Sequence, residues 1–307
     1  MKKVVVVGSI NMDLVTRCKR APKGGETLFG EEFSQVPGGK GANQAVAIGK
    51  LGTNVIMLGK IGKDSFGKDM LASMEKNGVN IQHIEEGEKA TGIAKIIVEE
   101  SGQNRILVVA GANSEVDKEY VDRHLAAIKE SDIVVTQLEI PIETVEYTLK
   151  KAKEFGKITI LNPAPARELS DEIIKNSDFI IPNESELALI TGMAVETEEE
   201  IKKAGKKLLD MGVKNLIITL GSKGSLHLNR DKCEFHSAYK VKAIDTTAAG
   251  DSFIGGVVRE LNGDNISEAI EFGTKVSAIA VTKKGAQTSI PTIEEVIKFK
   301  GVKNEKK

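Results

Sequence analysis

Short β-branched runs alternate along the chain with segments in which apolar residues recur at helical spacing. Residues 4–8, 55–59, 133–137, 158–161, 179–181 and 216–219 are short and largely apolar, the pattern of strands buried on both faces. Residues 65–77 put Phe66, Met70, Leu71 and Met74 on one helical face and stop at Gly78. A second helix begins with Pro141 in its first turn and carries Val145, Leu149 and Ala152 before Gly156. A third runs through Phe253, Ile254, Val257, Val258 and Leu261 toward Gly263. This alternation predicts βαβ units, hence a mostly parallel central sheet with helices on both sides.

Two stretches break the rhythm. Residues 14–37 show no helical stripe, and residues 92–109 read as two strands, 94–98 and 105–109, joined by a turn at Ser101 and Gly102. Both mix polar with apolar positions, as a sheet with one wet face does. They predict insertions that form a small antiparallel β flap on a single domain covering residues 1–307. No fixed-period repeat or low-complexity linker divides the chain.

Composition narrows the function classes. With 43 Lys plus Arg against 44 Asp plus Glu, the net charge is -1, so a surface built to neutralise nucleic-acid phosphates is not expected. The basic residues at 303–307 read as a solvated tail. No apolar stretch approaches the roughly 18 residues of a spanning helix, and no membrane association is expected. The run Val4 to Val7 behind Lys2 and Lys3 is shorter than the core of a secretion signal, and Cys18 and Cys233 form no paired motif. A reducing cytoplasm is the expected compartment.

Several familiar signatures fail. Gly39-Lys40-Gly41-Ala42-Asn43-Gln44 starts like a dinucleotide fingerprint but ends in Gln44, and residues 35–38 before it are not a buried strand. No phosphate-binding P-loop is present. His83, His124, His227 and His236 lack metal-ligand spacing and read as surface or structural residues.

The most informative string is Asp245-Thr246-Thr247-Ala248-Ala249-Gly250-Asp251, directly before the third helix. Ala248, Ala249 and Gly250 are small residues at a helix N-terminus, where N–H groups and the helix dipole favour an anion. Asp251 borders that site. A carboxylate there repels phosphate but can take a proton from a hydroxyl attacking it. Taken alone, a Gly-Asp pair reads first as a first-turn acid beside a tightly packed glycine; the surrounding string changes that balance.

Residues 245–251 resemble the C-terminal signature of the PfkB-like carbohydrate kinases, and Gly38 to Ala45 (Gly-Gly-Lys-Gly-Ala-Asn-Gln-Ala) resembles their N-terminal signature. The segments 8–13 (Gly-Ser-Ile-Asn-Met-Asp), 137–139 (Gln-Leu-Glu), 182–186 (Pro-Asn-Glu-Ser-Glu), 219–224 (Thr-Leu-Gly-Ser-Lys-Gly) and 282–287 (Thr-Lys-Lys-Gly-Ala-Gln) resemble the same family in order and spacing. Matches spread over nearly the whole chain identify it as a member. The resemblance implies the ribokinase-like three-layer α/β/α fold. The form Ala-Ala-Gly-Asp, where much of the family has Gly-Ala-Gly-Asp, points to the branch that phosphorylates D-ribose at its 5-hydroxyl with ATP.

The resemblance also implies roles. Asn11 and Asp13, otherwise readable as a turn, would bind the sugar, as would the glycine-rich loop Gly39, Lys40, Gly41, Ala42 and Asn43. The ammonium of Lys40 reads as a solvated charge. Glu139, just before Pro141, is a sugar ligand or a helix-entry acid. Asn183 and Glu186 either form a capping box or organise Mg²⁺ and the nucleotide phosphates, with Glu186 acting through water. Thr219, Leu220, Gly221, Ser222, Lys223 and Gly224 would make a nucleotide loop, completed by Gly250, Asp251 and Thr274; Thr274 stands where relatives present His or Asn to adenine. A monovalent cation, K⁺ by expectation, would take oxygens from Asp245, Thr247, Ala280, Lys283, Gly285 and Ser289. Relatives pair through the flap, so a homodimer is implied.

Other readings are a kinase for deoxyribose, fructose or adenosine, and a non-catalytic sugar sensor. A nucleoside would call for aromatic stacking, yet aromatics are 4% of the chain and Trp is absent. Phe29 and Phe33 could stack on a base or pack the flap.

Overall fold

The computed structural model describes residues 2–304. In chain order the strands are β1 (Lys3–Val7), β2 (Asn11–Cys18), β3 (Glu32–Gly38), β4 (Asn54–Ile61), β5 (Val79–Asn80), β6 (Ile84–Glu86), β7 (Gly92–Glu99), β8 (Asn104–Val109), β9 (Ile133–Gln137), β10 (Ile158–Asn162), β11 (Phe179–Ile180), β12 (Asn215–Thr219), β13 (Gly224–Leu228) and β14 (Cys233–Ser237). The main sheet has the order β14-β13-β12-β11-β10-β9-β1-β4-β5, with β6 also on β4. Its pairs are parallel from β12 to β5, and β13 and β14 join antiparallel at one edge.

The apolar strand runs are buried on both faces because each face has its own helical layer. Val4 and Val6 pack with Met57 and Val135 under the helices Lys40–Lys50 and Ala249–Glu260. Val5 and Val7 pack with Leu58 and Val134 under Ile142–Glu154 and Glu198–Met211. Each buried valine contributes about 1.5–3 kcal/mol, so the alternation along β1 binds both layers to one sheet. The α/β expectation of a mostly parallel sheet between helices holds.

Helix ends follow local chemistry. Asp64, one residue before Ser65, caps Ser65–Lys76 by accepting from the Gly67 N–H at 2.8 Å. Thr197 and Glu200 form a capping box on Glu198–Met211. Glycine-rich residues 39–43 are not a loop throughout: Gly39, at φ 86°, caps a helix that starts at Lys40. Gly41 then lies so close to β1's end that a Cβ would stand 2.5 Å from the Ser9 nitrogen.

The second sheet has the order β3-β2-β7-β8. Its outer pairs are antiparallel and its central pair, β2 with β7, is parallel. A parallel pair needs a long crossover, which here passes through β3, β4 and their helices. Since β2 begins four residues after β1 ends, at Asn11, the small sheet grows directly from the centre of the large one. Residues 303 and 304 correct the expectation of a solvated tail. Lys303 bridges Tyr239, Asn304 donates its N–H to Ala238 O at 2.8 Å, and its side chain donates to Ser222 O at 2.9 Å. Residues 305–307 lie outside the described residues.

The histidines are structural. His227 and His236 are buried, and His124 packs edge-on against both Tyr120 and His83. Phe29 is 99% exposed on the flap.

Candidate active site

The site forms where the central strands end, the position at which open α/β sheets place ligands. Asn11 and Asp13 sit on β2 rather than in a turn, and strand alternation turns them to one face. Gly38, paired with Asn11, leaves room for Asp13, whose Oδ2 would lie 2.3 Å from any Cβ at that position. Burial first, then the nearby Glu139 and Asp251 carboxylates, push the Asp13 pKa up to about 7.

Glu139 connects three of the expected sugar segments. Its Oε2 accepts from Ser9 Oγ at 2.5 Å and from the Lys40 N–H at 3.0 Å, so it satisfies an orphan N–H at the start of the Lys40–Lys50 helix. The helix it serves is therefore Lys40–Lys50 and not the one that follows Pro141, which has no side-chain cap. Lys40 is not a solvated charge. Burial alone would lower its pKa, but Asp251, Glu139, Glu186 and Asp13 surround it and leave it raised.

Asp251 is 7% exposed in the first turn of Ala249–Glu260. Its Oδ2 accepts from Asn43 Nδ2 at 3.1 Å, and its Oδ1 accepts from Gln44 Nε2 at 2.9 Å. Ala248 caps this helix with φ 57°, a left-handed conformation that costs a residue with a Cβ about 1–2 kcal/mol. The expected triad of N–H groups needs one correction. That of Ala249 closes a turn onto Thr246 O at 3.2 Å, so a bound anion would compete with this bond.

Two adjoining cavities meet at Gly250. A smaller one of about 200 Å³ is lined by Lys40, Asn183, Glu186, Ala248, Gly250 and Asp251. A larger one of about 620 Å³ is lined by Thr219, Gly221, Ser222, Gly224, Gly250 and Thr274, among others. Two of the expected nucleotide residues turn elsewhere. Leu220 packs into the core at 6% exposure, because it follows a buried strand. The Lys223 ammonium lies 3.8 Å from Glu184 with its side chain 68% exposed. Thr274 lines the larger cavity, but its hydroxyl donates to Ile270 O at 2.8 Å, one turn back.

Asn183 and Glu186 form a complete capping box on Glu184–Thr191, with both Glu186 oxygens accepting from Asn183 at 2.9 Å. Glu186 is nonetheless buried at the smaller cavity, and burial raises its pKa. The capping box is thus present, and it leaves the carboxylate at the wall of the smaller cavity. A carboxylate there, with lone pairs beyond its two hydrogen bonds, fits a hydrated Mg²⁺.

For the monovalent cation, the structure joins the two contributing segments. Asp245 Oδ1 accepts from the Thr247 N–H and hydroxyl, and its Oδ2 accepts from the Gly285 N–H at 2.9 Å. The Ala280 carbonyl accepts from the Lys283 N–H at 3.0 Å, and Ser289 Oγ donates to Ala286 O at 2.8 Å. Carbonyl and carboxylate oxygens are the donor type that a weakly hydrated cation such as K⁺ takes.

Sequence reasoning assigned no role to three residues that the fold brings in. Gln44 reaches Asp251. Asn113 accepts from the Ile10 N–H at 2.8 Å and donates to Asn11 Oδ1 at 2.7 Å. Asn304 lines the larger cavity from the chain's far end. Gln44 lay inside a quoted motif; Asn113 and Asn304 carried no local signal.

Comparisons with known proteins agree with this geometry. The pattern of the pfkB family carbohydrate kinases matches residues 1–293. The chain is 46% identical to a Schizosaccharomyces pombe ribokinase, over 96% of this chain and 97% of that protein. It is 39% identical to a Salmonella typhi deoxyribokinase, over 95% and 96% respectively. Among solved structures, Arabidopsis thaliana ribokinase complexed with ribose and ATP superposes with a TM-score of 0.91 at 33% identity, covering 98% of this chain and all of that one.

Proposed function

The chain belongs to the pfkB family of carbohydrate kinases, and we propose that this ATP-dependent kinase phosphorylates D-ribose at the 5-hydroxyl. One observation carries the reading: Asp251 lies at the head of a helix whose first residues line both cavities, and is bonded to Asn43 of the sugar segment. That arrangement supports the reading of Asp251 as a base standing between a sugar and a phosphate chain. The 46% identity to a ribokinase supports ribose over the alternatives.

Asn11, Asp13, Asn43 and Glu139 are short polar or acidic groups suited to adjacent sugar hydroxyls. Ribose lies against them with its 5-hydroxyl toward Asp251. ATP occupies the larger cavity with its phosphates running past Gly250 toward Lys40. Asp251 takes the hydroxyl proton as that oxygen bonds to the γ-phosphorus, while the bond from phosphorus to the β,γ-bridging oxygen breaks and ADP leaves. Lys40 and the N–H groups of Ala248 to Gly250 stabilise the transferring charge, with Ala249 giving up its bond to Thr246. Mg²⁺, held through Glu186 and water, neutralises the polyphosphate when bound. A monovalent cation at Asp245, Thr247, Ala280, Lys283, Gly285 and Ser289 would brace the loop that aims these N–H groups.

The flap shields ribose from water and supports a homodimer. Its edge strand β8 is exposed throughout, and Ile106, Leu107, Val108 and Val109 join Phe29 and Phe33 as exposed apolar side chains. An open apolar edge of this kind calls for a partner. Light scattering should give twice the chain mass, and Leu107→Lys should give monomers; a monomeric parent would end that part of the reading.

The function is tested by coupling ADP formation to ribose, deoxyribose, fructose and adenosine, with Mg²⁺ in sodium and then potassium buffer. Ribose should give the highest kcat/KM, and Asp251→Asn should lower kcat by roughly 10³-fold or more. Comparable turnover by that variant would remove Asp251 as the base.

A further inference from the structure

The catalytic carboxylate is held from behind by a chain of buried amides whose orientation can be deduced from one end. Asn162, at the end of β10, donates from Nδ2 to the backbone carbonyl of Ile181 at 3.2 Å. A carbonyl can only accept, so Asn162 presents its Oδ1 to Gln44 and must receive a donor there. Gln44 Nε2 supplies it at 3.1 Å and gives its second hydrogen to Asp251 Oδ1 at 2.9 Å. Gln44 Oε1 then faces Gln137, at the end of β9, and accepts from its Nε2 at 2.7 Å. Gln44 is fully buried, and turning its amide over would sacrifice its hydrogen bonds to Asn162 and Asp251 and set an oxygen against a carboxylate.

We infer that Gln44 is a positioning residue for phosphoryl transfer: its amide, locked by Asn162 and Gln137, holds Asp251 Oδ1 so that Oδ2 faces the acceptor hydroxyl. The inference rests on the reading of Asp251 as the base. Oδ2 lies on the side of Asn43, in the sugar segment, and retains a lone pair for the hydroxyl proton. Because Gln137 and Asn162 are paired residues of neighbouring central strands, the carboxylate is referenced to the sheet. A base held within a narrow range of positions reacts faster without binding its substrate more tightly.

The test compares Gln44→Glu, which keeps the shape and an acceptor for Gln137, with Gln44→Met, which removes every polar contact. The charged groups facing Asp251 are Asp13, Lys40 and Glu186, with Glu139 beside Lys40; all remain in both variants, Gln44→Glu adding one carboxylate beside Asp251 and Gln44→Met adding no charge. Thermal melting reports whether each variant folds. In each, kcat should fall about 10- to 100-fold while KM for ribose and for ATP changes less than about twofold. Folded variants that keep kcat within about twofold of the parent's would overturn the inference. An Asp251→Asn enzyme with parental kcat would overturn the base assignment, and this inference with it.

Discussion

The sugar end and the nucleotide end of the site are built from different material. At the sugar end, side chains bond to side chains across long stretches of chain: Ser9 to Glu139, Asn11 to Asn113, Asn43 and Gln44 to Asp251. At the nucleotide end the walls are mostly glycine, alanine, serine and threonine, and the Thr274 hydroxyl is spent on its own helix. Where side chains hold one another, each identity matters, because removing one partner strands another in a buried place. Where backbone and small residues make the wall, many sequences serve.

That contrast predicts unequal responses to mutation, greatest at the sugar end. Asp13→Asn should raise the ribose KM roughly 100-fold, as loss of a buried charge-assisted acceptor does, and leave the ATP KM within about twofold. The pH dependence of the parent sharpens the point. With its pKa pushed up to about 7, Asp13 keeps its proton below that pH and becomes a full acceptor only above it. The ribose KM should therefore fall as pH rises from about 6 to 8, and Asp13→Asn should flatten that dependence in a steady-state series. The proton favours the empty folded state, so the same group makes the free enzyme less stable as pH rises from its unfolded value of 3.8 toward 7.

Glu186→Gln, at the junction of the two ends, should raise the Mg²⁺ concentration for half-maximal rate about tenfold, read from a Mg²⁺ titration. Its melting temperature should change only as losing part of a cap would, about 1 kcal/mol. Ala248→Gly should relieve the left-handed strain and stabilise the fold by up to about 1 kcal/mol, seen in urea melts. Thr274→Ala should change the ATP KM less than about twofold, since its hydroxyl does not point into the cavity. A tenfold change there would erase the distinction between the two ends.

The expectations that relied on local pattern fared best. Buried strands such as residues 4–8 and 133–137 stand out because apolar runs have few other uses, and Ser65–Lys76 and Ala249–Glu260 because their stripes repeat every turn. Lys40 was misread because its neighbours in sequence are glycine and alanine, whereas the acids that surround it come from residues 13, 139, 186 and 251. Leu220 and Lys223 belong to a motif whose spacing says nothing of which side chains turn inward. The helix Lys40–Lys50 was hidden by the glycines that open it.

By itself, then, the order of residues determined the alternation of strands and helices, the small-residue string before Asp251, and the family to which the chain belongs, because each is written in near neighbours or fixed spacings. Only the folded chain decided that Gln44 would grip Asp251 from the sheet side, that Asn113 would clamp Asn11, and that Asn304 would close the nucleotide wall. Those contacts join positions up to 207 residues apart, and a distance in space between such positions exists only once the sheet has set the order of its strands.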